Sequence, residues 1–127
     1  MNRESDYYLE KARRDLDEAR KIMQISLPNV AARSAYYAVF HAAEAVIFDK
    51  TGRVAKTHRG VRVEFARVSK DDPRFPTTMT AFLAKVYGYK EISDYNVDPD
   101  VIITMQDAED AILGAEQFVN SVISALA

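Results

Sequence analysis

Arg33, Tyr37 and His41 follow one another at intervals of four residues, and Glu44 stands three further on. On a helix that spacing puts them along one face. A guanidinium there can steady phosphate charge and an imidazole can move a proton near neutral pH. The same residues can equally form a satisfied polar cluster that fixes helix register. If Arg33 is buried it needs a carboxylate, because an unpaired charge in a core is very costly. Glu44 and, in the preceding segment, Asp15 and Glu18 are within reach of it in sequence terms. A second set follows at Arg53, Lys56, Arg59 and Arg62, a cation at every third residue, with Thr57 and His58 among them. Such a strip can hold phosphates, aided by exposed N–H groups at a helix start, or it can be a solvated face. No aromatic residue interleaves to stack on bases.

These residues need elements to carry them. From about Ser5 to Ile25 the apolar positions Tyr8, Leu9, Ala12, Leu16, Ala19, Ile22 and Met23 recur at helical spacing. The next helix, about Pro28 to Lys50, is apolar nearly all round, which places it at the middle of a bundle, and Gly52 ends it as a left-handed cap. A short helix is expected from about Thr57 to Ser69. A fourth is expected after Pro76, capped by Thr77 or Thr78 and ending near Tyr87, with a break from Gly88 to Pro99. The last helix is expected from about Asp98 to Ala125, with Asp98 or Asp100 at its N-terminus. No segment alternates with period two for long enough to be a strand. The expected fold is all-α, an up-and-down bundle of four long helices plus one short one, in one domain over residues 1–127.

The chain has 127 residues, 48% of them apolar and 28% charged, which is globular rather than disordered composition. It has no cysteine, so disulfides, thiolate metal sites and a thiol nucleophile are excluded. Two histidines 17 residues apart are thin support for a transition-metal site, and Asp94, Asp98 and Asp100 lack the spacing of a calcium loop. Phosphate-cradling glycine loops, nucleophile elbows and metalloprotease motifs are absent. No metal or cofactor is expected. The polar start, Met1 to Asp6, shows no secretory signal, and the apolar stretch is broken by Arg33, His41 and Glu44, so no membrane span is read and a cytoplasmic location is expected. The net charge of −2 hides segregation: residues 50–70 carry seven cations and one acid, residues 91–127 eight acids and no lysine or arginine. The two strips can pair with each other, within the fold or across a dimer, or the cations can meet phosphates.

The run from Arg33 to Ala45, followed by Lys56-Thr57-His58 and later by Ser93-Asp94-Tyr95, resembles the HEPN family over about residues 5–125. The resemblance implies a helical bundle that dimerises through helices, works beside a small nucleotidyltransferase, often as a toxin–antitoxin pair, and binds or cuts RNA. Cutting members have an Arg, a His four to six residues later, and a Tyr soon after. At the comparable place this chain reads Lys90 to Tyr95: Lys90 stands for the Arg, Tyr95 matches the Tyr, and Asp94 lies where an imidazole is needed. Arg53 and His58 match the spacing formally, in another part of the bundle, and are weak catalytic candidates. The favoured reading is therefore a non-catalytic binding module. It is expected to be a homodimer that meets a nucleotidyltransferase, RNA or a nucleotide, using Arg53, Lys56, His58, Arg59 and Arg62, with Arg33, Tyr37, His41 and Glu44 as polar core or pocket. The alternatives are a metal-independent endoribonuclease and a purely structural helical dimer.

Overall fold

The computed structural model describes residues 3–127; Met1 and Asn2, which open the polar start, lie outside them. Five helices follow in the order α1 (Arg3–Gln24), α2 (Pro28–Thr51), α3 (His58–Ser69), α4 (Thr77–Tyr95) and α5 (Met105–Leu126), and the described residues include no strand. This is the all-α bundle of four long helices and one short one. No helix among the described residues is long and apolar enough to cross a membrane.

α2 is the axis of the bundle and packs against all four other helices, most extensively α1 and then α5. Its alanines explain this. Ala31, Ala32, Ala35, Ala38, Ala42, Ala43 and Ala45 are all fully buried, so neighbouring backbones approach it from several sides at little side-chain entropy cost. Two hydroxyls help lock α1 alongside: Ser5 donates to the Ala45 carbonyl (3.2 Å) and Ser34 to the Asp15 carbonyl (2.8 Å). Gly52 ends α2 at φ 70°, its amide donating to the Phe48 carbonyl at 2.8 Å. That conformation is one only glycine adopts without a Cβ penalty.

α4 differs from expectation at both ends. Pro76, not Thr77 or Thr78, occupies its N-cap position, with no side-chain cap. It also runs past Gly88 to Tyr95 rather than ending near Tyr87. Glycine inside a helix costs only about 1 kcal/mol, and the helix gains more by continuing, because Tyr87, Lys90, Glu91 and Asp94, at three- and four-residue steps, prolong the face that meets α2 and α3. α5 starts later than expected, at Met105, and its cap is Thr104 rather than Asp98 or Asp100. Thr104 and Asp107 form a reciprocal capping box, with bonds of 3.0 Å each way. Asp98 instead shapes the connecting loop. Its Oδ1 accepts from the Asp100 amide (2.9 Å), and its carbonyl accepts from the Val101 amide (3.2 Å). Pro99 disfavours helical backbone at Asp98.

Candidate phosphate-binding site

Three helix faces converge at one end of α2. α2 contributes Arg33, Tyr36, Tyr37, Phe40 and His41; α3 contributes His58 and Arg62; α4 contributes Tyr87, Lys90, Glu91 and Asp94. His58 begins α3 because Thr57 caps it, accepting from the Gly60 amide at 2.8 Å. One of the exposed amides at that helix start is therefore already used by Thr57.

The His58 ring lies among Tyr36, Tyr37, Phe40 and Tyr87, with centroids 5.0–5.9 Å away. Its Nδ1 is 2.6 Å from the hydroxyl of Tyr36, a fully buried side chain. Burial lowers the His58 pKa below 6.5, and Lys90, Arg62 and Arg33 push it further down against Glu91. Burial likewise drives the Tyr36 phenol well above its ordinary value. With a neutral imidazole and a protonated phenol, the imidazole tautomer sets the direction of this bond: the Tyr36 O–H donates when the His58 proton is on Nε2, and the Tyr36 hydroxyl oxygen accepts when the proton is on Nδ1. Arg62 Cζ sits over the Tyr87 ring, 3.9 Å from its centroid, and one of the Arg62 Nη atoms is buried with no acceptor. The Tyr87 hydroxyl donates to Glu91.

Beside this group Asp94 bridges two cations. Its Oδ1 accepts from Arg33 Nε at 2.7 Å, and its Oδ2 lies 3.3 Å from Lys90 Nζ. Lys90 is only 5% exposed. Burial opposes its charge, but the bond to Asp94 and the nearby Tyr95 and Tyr37 outweigh burial and hold its pKa above the ordinary lysine value. Burial works against the Asp94 carboxylate too, and Arg33 and Lys90 overcome it, so that its pKa lies below the usual range. Each cation also faces a ring, Arg33 over Tyr37 and Lys90 over Tyr95, both at 4.9 Å.

The expected partner of Arg33 was a carboxylate at Glu44, Asp15 or Glu18; the structure supplies Asp94 from α4 instead. Arg33 is not deeply buried, its side chain being 41% exposed. The first-helix and same-helix acids serve His41. Its Nδ1–H donates to Glu44 Oε1 at 2.6 Å, and its Nε2 lies 3.5 Å from Asp15 Oδ2. Burial raises the Asp15 pKa, with His41 as the main opposing influence.

The basic strip divides. His58 and Arg62 turn inward, whereas Arg53, Lys56 and Arg59 are exposed, and none of these three has an ion pair among the described residues. Arg53 lines a cavity of about 670 Å³ with Glu64 and Arg67, away from the Tyr36–His58 pair. The other cations of residues 50–70 that find acids are Lys50, with Asp72 at 2.8 Å, and Arg67, with Glu64 at 2.7 Å. Neither pairs with the acidic segment 91–127. Tyr36, Tyr87 and Glu91 escaped the sequence reading as site residues. The signal that would have found two of them is the 87–90–91–94 periodicity running straight through Gly88.

The HEPN domain model matches residues 5–125, nearly the whole of this alanine-rich helical bundle. The chain belongs to the HEPN family. It is 29% identical over 122 residues to a "UPF0332 protein" of Archaeoglobus fulgidus, covering 92% of this chain and 96% of that one. It is 30% identical over 118 residues to the Methanocaldococcus jannaschii protein named "Putative toxin MJ0605", covering 93% of this chain and 85% of that one.

Proposed function

We propose that this protein is a non-catalytic HEPN binding module of a toxin–antitoxin-type pair, dimeric, working beside a small nucleotidyltransferase and binding the phosphates of RNA or a nucleotide. The observation that carries the phosphate reading is the exposure of Arg53, Lys56 and Arg59 with no ion pair to any of them among the described residues; Glu64, the carboxylate whose field reaches Arg53, is itself bonded to Arg67. Surface cations left unpaired are free to displace counterions from a polyanion. The toxin named among the relatives supports the paired system. The absence of cutting is supported by Asp94, which stands where cutting members of the family carry an imidazole and is here engaged between Arg33 and Lys90.

Fluorescence anisotropy with a labelled single-stranded RNA, measured across a salt series, tests the reading. Affinity should fall steeply with salt, and Arg53→Glu with Arg59→Glu should flatten the dependence. An affinity indifferent to both would remove the strip as the contact. The second reading, a metal-independent endoribonuclease, is favoured by one grouping, His58 beside Arg62 and Lys90. Metal-free turnover of RNA that disappears in His58→Ala would establish it in place of the first.

A further inference from the structure

The last residue of α4 and the α4–α5 loop hold bulky apolar side chains out in water. Tyr95, Val97 and Ile102 are 67%, 95% and 69% exposed, and Val101 is exposed beside them. Yet the loop is tied down. Asn96 Nδ2 donates to the Asp98 carbonyl at 2.7 Å, Asp98 and Asp100 form the turn described above, Ile103 is buried, and Thr104 anchors α5. A preorganised apolar surface gains stabilisation only when something covers it. Asp98 and Asp100 lie within it, and residues 91–127 hold no cation. Laying this loop against its own copy would oppose like charges, so its cover must be cationic. The α2–α3 corner has that character. Arg53, Lys56 and Arg59 are exposed and unpaired there, and Val54 and Val63 are exposed among them.

We propose that a second copy of this chain covers the loop, in a reciprocal pair where residues 95–102 of each copy lie on residues 53–63 of the other. This rests on the dimer of the preceding reading, assigns its surfaces, and makes the dimer and the RNA-bound form alternative states of the chain. It also has a consequence for binding: the carboxylates of Asp98 and Asp100 occupy the cations that RNA phosphates would take, so RNA and the second copy compete for one strip.

Light scattering coupled to size exclusion reads the mass against 14.3 kDa for one chain. The wild-type protein should run at twice that mass, and Val97→Asp with Ile102→Asp should run as a folded monomer by circular dichroism. Asp98→Lys with Asp100→Lys should be monomeric alone, as should Arg53→Glu with Arg59→Glu. Mixing those two variants should restore a pair, because both of its contacts then join opposite charges. Labelled RNA should convert wild-type dimer to RNA-bound monomer, and the Val97→Asp, Ile102→Asp protein should bind it more tightly. A wild-type monomer would overturn both this inference and the dimer in the earlier reading. A dimer that survives the loop substitutions, or variants that fail to pair when mixed, would overturn the inference alone. RNA binding to an intact dimer would overturn the competition. Restored pairing with no RNA binding in any variant would sustain the interface and remove the RNA reading.

Discussion

Asp94 holds two cations in unlike surroundings, and that difference orders the effects of removing each. Lys90 is buried, so Asp94→Asn would leave a nearly enclosed ammonium without its carboxylate. Loss of one partner from a buried pair costs about 3–5 kcal/mol, and the partial exposure of Asp94 reduces this to about 2–3 kcal/mol. Arg33 is 41% exposed, and Arg33→Ala should cost no more than about 1 kcal/mol, the range of surface pairs. Urea unfolding of the two variants measures the gap; equal losses would mean that Lys90 is not the member that depends on Asp94. His58 supplies a pH dependence. Its folded pKa lies below 6.5, so between those two values the unfolded chain binds more protons than the folded one. Its contribution to stability is complete above the unfolded value and is lost as pH falls through the folded one. His58→Gln should therefore flatten the acid limb just below pH 6.5 in a urea series. An unchanged limb would assign that limb to other groups.

Helix placement was largely legible, and the misplacements share one cause. α2 could be read as the central element because its run of alanines interrupted by Tyr36, Tyr37 and Phe40 leaves no polar stripe. Gly52 and Thr57 marked its end and the start of α3 by simple capping chemistry. The end of α4 was misjudged because Gly88 looks like a terminator in isolation, whereas tertiary packing of Val86, Tyr87 and Lys90 carries the helix through it. That one displacement hid the Arg33–Asp94–Lys90 bridge, which exists only if residues 90–95 are helical and lie beside the start of α2. The Tyr36–His58 bond was out of reach for a different reason: it joins two helices across a loop, and nothing in local spacing distinguishes Tyr36 from a core aromatic. A second glycine does have a packing role. At Gly114 an added Cβ would fall 2.3 Å from Phe82 Cζ, so α5 accepts the ring only because no side chain is there. Gly114→Ala should displace Phe82 and cost about 1–3 kcal/mol despite the better helix propensity of alanine. A stabilised variant in thermal melts would show that the ring moves freely.

Charge is divided along the whole chain, and the bundle leaves much of that division exposed. Among the described residues, the seven cations of residues 50–70 meet only Asp72 and Glu64 as ion-pair partners, while Glu116 reaches back to Arg20 and Asp94 to Arg33 and Lys90. With a net charge of only −2, the molecule neither attracts nor strongly repels a polyanion as a whole, so the RNA binding proposed above has to come from the local field at the α2–α3 corner. On the monomer, where no second copy covers the corner, the proposed contact of three cations with one phosphate each releases counterions with a slope of about −0.7 per contact, giving about −2 for log affinity against log salt. Lys56→Gln should reduce the slope by about 0.7 without changing the fold, while Lys85→Gln, a neutralisation on α4 outside this corner, should leave it unchanged. Anisotropy titrations at several salt concentrations separate the two. Equal reductions from both variants would mean that RNA responds to total charge, and the corner would then have no special part in holding it.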